Sequence, residues 1–210
     1  MRTLGIAGAG RYGGLVSDLA RAAGGFDRIT FFDDHVAQDG TRVVGAFSDI
    51  ADHIKNNSIS HLAIAVGYKH FEAREAIYRE HQGTIPFATL VHPSAWVSED
   101  ARLGEGAQIY SMANVETGVV MEPNVAVFNQ TSITHEVHVG AHSFLSVGVS
   151  MGGGVRIGER SFIGVGANIV NDIRIGSDSV VCGGTFLSAS IPDNTCVVGN
   201  PYKVIDRVRI

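Results

Sequence analysis

From Val97 to Leu187 every sixth residue of the chain is aliphatic or methionine, sixteen positions in series with no insertion. Four residues after most of them stands a small or β-branched residue, from Ala101, Ala107 and Ala113 through Thr131, Val137 and Ser143 to Ala167. Glycine often follows the aliphatic position directly, as at Gly104, Gly140, Gly152, Gly158, Gly164 and Gly176. A period of six fits neither the 3.6 of a helix nor the 2.0 of a flat strand, so the backbone must bend at a fixed interval. A coil of short strands does this. One aliphatic and one small residue per hexad point inward, and glycines relieve corners where a side chain would clash. Stacking such coils buries a continuous apolar column and leaves the outward residues in regular rows.

The first ninety residues obey another rule. "RTLGIAG" and "RITFFDD" read as short strands, "HLAIAVG" as a buried strand, and "GLVSDLARAAGG" as a helix closed by Gly24 and Gly25. A second helix follows Gly67, with Ala73, Ala76, Ile77 and Glu80 at helical spacing, and a further short strand reaches Leu90. Alternating strands and helices predict a small open parallel sheet flanked by helices. The expected division is therefore a Rossmann-like unit over 1–91, a β-solenoid over 92–192 and a tail over 193–210. Within the first unit, "GAGRYGG" places Gly8, Gly10 and Gly13 after a strand and before a helix, the setting of a phosphate-cradling turn. Asp33 and Asp34 end the second strand, roughly where a ribose-binding acid lies in dinucleotide folds. These residues suit a nucleotide-sugar site, an NAD site or a purely structural turn. Against NAD, ninety residues hold only half of a dinucleotide fold, and a solenoid stands where the second half would be.

Net charge is −5 with 18% charged residues and no block of like charge, which disfavours nucleic acid and anionic membranes as partners. No run approaches the ~20 apolar residues of a membrane span, and the opening Leu4 to Ala9 lacks the long apolar region of a signal peptide. The expectation is a soluble, cytoplasmic protein. Two cysteines, Cys182 and Cys196, supply neither a disulfide framework nor paired metal spacing and read as small buried or half-buried residues.

"LGEGAQ", "IGERSF" and "IGSDSV" resemble the repeats of the hexapeptide-repeat acyltransferases. That resemblance implies a left-handed parallel β-helix of three hexads per triangular coil, about five coils here, in a homotrimer that binds acyl-coenzyme A between neighbouring helices. The whole chain is similar to one branch, the sialic acid O-acyltransferase-like acetyltransferases. In that branch a glycine-rich turn, a "DD" strand end and a strand ending in glycine line the nucleotide-sugar side. They correspond here to Gly8, Gly10, Gly13, Asp33, Asp34 and Gly67. "HPSAWVS" at 92–98 matches the beginning of the helix, and "VGNPYKVI" at 198–205 resembles its closing motif, with Tyr202 in place of the usual alanine. Two departures fall on the sugar side. Phe128 occupies the position of a substrate-contacting asparagine, with Asn129 one out of register, and "RYGG" lacks the histidine usual in the first turn.

"SITHEVHVGAHSF" at 132–144 holds three of the nine histidines. By resemblance, His135 followed by Glu136 is the catalytic pair. Acyl transfer from a thioester needs a base near neutral pH, and imidazole fits. Glu136 would orient or polarise the ring, and Gly153, within "SMGGGV", would offer its N–H to the tetrahedral oxyanion. His138 and His142 read as outward-facing polar side chains, and their spacing does not match the zinc ligands of β-helical carbonic anhydrases, so no metal is expected. Gly183, Gly184 and Lys203 are expected to border the coenzyme. The reaction implied is transfer of acetyl from acetyl-CoA to the amino group of a nucleotide-linked amino sugar. The alternatives are O-acetylation of sialic acid or another sugar and, from another class, a non-catalytic trimeric scaffold.

Overall fold

In the computed structural model, which describes residues 1–206, the chain divides into two compact units, Met1–Leu90 and the part from Val91 onward. The last four residues of the expected tail lie outside the described residues.

The first unit runs β1 (Thr3–Ala7), α1 (Arg11–Ala23), β2 (Arg28–Phe32), β3 (Val43–Gly45), α2 (Ile50–Lys55), β4 (His61–Ile64) and α3 (Phe71–His81). Its strands form one parallel sheet in the order β3-β2-β1-β4. Leu4 and Ile6 are buried in it, and Ala7, Phe32, Leu62 and Ile64 pack with Ile50 and Ile77 of the helices. β3 and α2 were not expected. β3 is three residues long and α2 six, too short for a period to show in sequence. The segment expected as a strand to Leu90 supplies one bridge, Leu62 to Phe87, before the chain leaves the unit.

In the second unit the six-residue rule becomes a parallel β-solenoid. Two-residue strands, each ending in the aliphatic member of a hexad, pair with strands 18 positions away, as in Val120 with His138 and His138 with Arg156. Three hexads thus make one turn, and the strands stack into three sheets. The aliphatic column from Ile109 to Leu187 is buried, as is the small row from Ala107 to Thr185. Where that row carries a hydroxyl, it bonds inward: Thr131, Ser143 and Ser161 donate to the carbonyls of Ser146, Gly158 and Gly176. Buried polar groups are thereby satisfied without interrupting the column.

The corners revise the expected role of the glycines. Every sixth residue from Gly106 to Gly184 has a positive φ, and the series includes Met112, Gln130, Glu136 and Arg160 as well as glycines. These are not the glycines that follow the aliphatic residues. Those, such as Gly104, Gly140 and Gly176, keep ordinary φ values but lie so near the next coil that an added Cβ would meet its backbone. Their role is close approach between coils.

The solenoid also extends beyond its sixteen hexads. Leu90–Val91 joins one end of a sheet, and Cys196–Val198 pairs in parallel with Val180–Val181 at the other, giving about six turns. Lys203–Ile205 folds back antiparallel on Cys196–Val198, so the described part of the tail is a sheet edge. No helix among the described residues is long and apolar enough to cross a membrane.

Candidate active site

His135 lies two residues after the aliphatic Ile133, in the corner between the strands Ser132–Ile133 and His138–Val139, and it is exposed. Thr134 pins that corner to the next coil through Oγ1, which donates to the carbonyl of Met151 at 2.8 Å. Gly153 is the equivalent residue of that coil. A Cβ on Gly153 would overlap Cε1 and Nε2 of the His135 ring, so the imidazole lies against the bare Cα. The coils are joined beside it by Gly154 N–H to the His135 carbonyl, 3.0 Å. The N–H of Gly153 itself finds no backbone acceptor among the described residues, as an oxyanion donor requires.

Glu136 follows in the left-handed corner position, φ 58°, which the solenoid imposes on every hexad. Its Oε2 stands 3.7 Å from His135 Nδ1, too far for a hydrogen bond but near enough to pair with the imidazolium. The ring is exposed and a carboxylate waits beside Nδ1, an arrangement that suits a general base.

His138 and His142 part company. His138 is half-buried on a sheet face, its Nε2 3.2 Å from Glu122 Oε1. His142, expected at the surface, is buried, with Nδ1 3.0 Å from Asn124 Nδ2 in the coil below. It occupies a corner position, where direction depends on which of the three edges the hexad falls on, a fact the repeat alone does not reveal. Among the described residues no three His, Cys, Asp or Glu side chains gather as a metal-binding group. Phe128 stacks between Tyr110 and Phe144, with ring centroids 4.5 and 4.7 Å away.

The remaining candidates fall elsewhere. Gly183 and Gly184 turn the corner between Val180–Val181 and Phe186–Leu187, a different edge of the solenoid from that of His135, and Lys203 is exposed on the closing strand.

In the first unit the three glycines of "GAGRYGG" have separate reasons. Gly8 has φ 115° and an added Cβ would press on the carbonyl of Ala65 at 2.7 Å, while a Cβ on Gly13 would overlap the carbonyl oxygen of Gly8. Those two hold the turn together. Gly10, the N-cap of α1, has an ordinary extended conformation and nothing within 4 Å of an added Cβ, so it leaves space open in front of the helix N-terminus. Gly67 is likewise unobstructed. Asp33 is engaged in the turn: Oδ2 accepts from Ala9 N–H at 2.6 Å, and Oδ1 from His35 and Val36 at 2.8 and 2.9 Å. Burial pushes its carboxyl up, but these three N–H bonds outweigh it and hold the group below the usual carboxylate range. Asp34 Oδ1 accepts from Phe47 N–H. Both acids shape backbone, which strand position alone does not disclose. Arg42, which the sequence did not single out, reaches the same turn, donating from Nη2 to the Ala9 carbonyl at 3.1 Å and lying 4.6 Å over the Phe31 ring.

A β-solenoid with an exposed imidazole laid on a glycine corner, preceded by a parallel sheet with an open glycine turn, defines a two-part acyltransferase of the hexapeptide class. Residues 3–81 match the family model described as the PglD N-terminal domain. The structure superposes on the acetyltransferase domain of PglB from Neisseria gonorrhoeae with a TM-score of 0.90 and 30% identity over 98% of this chain and 100% of that one. The same PglB domain in complex with acetyl coenzyme A gives 0.86 and 31%, over 97% and 99%. PerB from Caulobacter crescentus, in complex with CoA and GDP-perosamine, gives 0.90 and 26% over 98% of each chain. The chain belongs to this family of hexapeptide-repeat sugar acetyltransferases.

Proposed function

We propose that the protein transfers acetyl from acetyl-CoA to the amino group of a nucleotide-activated amino sugar, with His135 as the general base. The observation that carries this reading is the imidazole lying against Gly153, with a carboxylate beside Nδ1 and a Gly153 N–H that no backbone acceptor among the described residues takes up. His135 takes the proton from the amine as nitrogen attacks the thioester carbonyl. The tetrahedral oxyanion accepts from the Gly153 N–H, and its collapse breaks the C–S bond and releases coenzyme A thiolate. Glu136 pairs with the imidazolium formed in the first step. The solved PglB and PerB complexes, with acetyl coenzyme A and with CoA plus GDP-perosamine, support both substrates.

The first unit holds the nucleotide, with its phosphates at the open space before α1 where Gly10 lacks a side chain. The assembly is a trimer with sites between copies. Supporting this, Gly183, Gly184 and Lys203 lie on other edges of the solenoid than His135, so a coenzyme touching both sets spans two chains. Release of coenzyme A, followed with a thiol reagent against UDP-, dTDP- and GDP-linked amino sugars and free sialic acid, tests the reading. Turnover of an amino sugar that falls at least ~100-fold in His135→Ala is the expected result. Turnover of sialic acid alone, or an unaltered rate in the variant, overturns it.

A further inference from the structure

On the sheet that begins immediately after the His135 corner, the outward residues of successive strands are Arg102, Val120, His138, Arg156 and Arg174, each in register with the next. Arg156 and Arg174 are therefore direct neighbours on adjacent parallel strands, about 4.8 Å apart. Both are exposed. Like charges directly opposite in a sheet repel, so a carboxylate or a bound anion shared between the two would be favoured there.

The nearby carboxylates do not serve. Two hollows of about 580 and 250 Å³ lie against this sheet, and His138, Arg156 and Arg174 line both. Their acidic residues are Glu136 and Asp172 in the larger and Glu122 and Glu159 in the smaller. Glu136 faces His135, Glu122 pairs with His138, and Glu159 pairs with Arg160 at 2.9 Å. Asp172 packs its Oδ1 against the Cα of Gly154. Among the described residues neither guanidinium forms an ion pair or a side-chain hydrogen bond. The larger hollow also reaches Gly154 and Glu136, the chain neighbours of Gly153 and His135, so it lies beside the candidate reaction corner.

We propose that Arg156 and Arg174 together bind a phosphate or diphosphate group of a substrate, in the hollow that opens from the His135 corner. Two planar forks one strand apart offer parallel N–H pairs to phosphate oxygens, and the bound dianion removes their mutual repulsion. With the acceptor's phosphates proposed at the glycine turn, this phosphate is one of coenzyme A's; a response confined to nucleoside diphosphates would instead move the acceptor's phosphates here and vacate that turn. The proposal rests on the acetyltransferase reading only for this choice of ligands.

Calorimetric titration of the full chain with coenzyme A, with pantetheine and with UDP and GDP tests the site independently of turnover. It is run on wild type, on the Arg156→Gln/Arg174→Gln double variant, on the matching double lysine variant, and on Arg102→Gln, which lies in the same row but outside both hollows. The double glutamine variant is expected to lose ~10- to 100-fold in affinity for one phosphate-bearing ligand, the scale of one or two charge-assisted hydrogen bonds. Pantetheine, which lacks phosphate, is unmoved, Arg102→Gln is unmoved, and the lysine variant recovers part of the loss. A loss confined to coenzyme A places its phosphates there, and a loss confined to a nucleoside diphosphate places the acceptor's. Unchanged affinities for all ligands overturn the proposal, as does an equal loss of pantetheine. So does failure of wild type to bind any phosphate-bearing ligand. If wild type binds coenzyme A and nucleotide with the expected arginine dependence yet transfers no acetyl group, the phosphate site stands and the acetyltransferase reading falls.

Discussion

Gly153 is the residue on which the candidate site turns, because its missing side chain, rather than any group it carries, sets the position of His135. Replacing it with alanine puts a methyl where Cε1 and Nε2 now lie. The obstructing atoms are the far end of an exposed side chain, so the ring swings outward and the backbone stays. Gly153→Ala is expected to lower kcat ~10- to 100-fold, the range lost when a base is displaced. The melting temperature is expected to shift by no more than a degree or two. A kcat within twofold of wild type would show that the position of the ring against Gly153 is immaterial. His135 and Gly153 were both named from the sequence, their expected roles resting on the family resemblance alone. Three hexads per coil make residues 18 apart neighbours, but that spacing does not say that the His135 ring comes to lie over the Gly153 Cα. The arginine pair obeys the same spacing, which does not disclose that neither guanidinium finds a carboxylate among the described residues.

At the scale of elements, period six was readable from Val97 to Leu187 because a missing aliphatic residue would leave a void in the column. The periodicity said less about the corners, where any residue of suitable backbone tolerance serves. It also stopped short of the last strand, Cys196–Val198, which comes after a break in the spacing and still docks on Val180–Val181. That docking brings Cys182 Sγ within 3.9 Å of Cys196 Sγ. Burial, and then the neighbouring cysteine, push the Cys182 thiol from 9.0 up to about 11. A thiol whose folded pKa is raised favours the fold fully below its unfolded value and loses that contribution as pH climbs to the folded one. The difference in urea midpoint between wild type and Cys182→Ala, measured under reductant, is therefore expected to shift against wild type between pH 9 and 11 and to level off above. A difference that stays constant across this window would mean that the closing strand does not hold the thiol protonated.

For the molecule as a whole, the division of labour between the two units can be tested at a single position. Gly8 and Gly13 are fixed by contacts with Ala65 and with each other, whereas Gly10 caps α1 in the extended conformation that N-cap residues adopt and makes no side-chain bond there. Aspartate is the better N-cap, because its carboxylate accepts from the first free N–H groups of the helix and suits the positive end of its dipole. Gly10→Asp should thus raise stability by a few tenths of a kcal/mol. The same carboxylate stands in the open space where the acceptor's phosphates are proposed to lie, taking their hydrogen-bond donors and repelling their charge. Protein stability and substrate affinity consequently move in opposite directions. The KM for the nucleotide sugar is expected to rise at least ~10-fold, the size of one lost charge-assisted bond, while the KM for acetyl-CoA, whose thioester meets His135 on the solenoid, is unchanged. Steady-state kinetics with each substrate varied in turn, beside a thermal melt, separates the outcomes. An unaltered KM for the sugar would release the glycine turn from any part in binding and leave it a structural joint between β1 and α1.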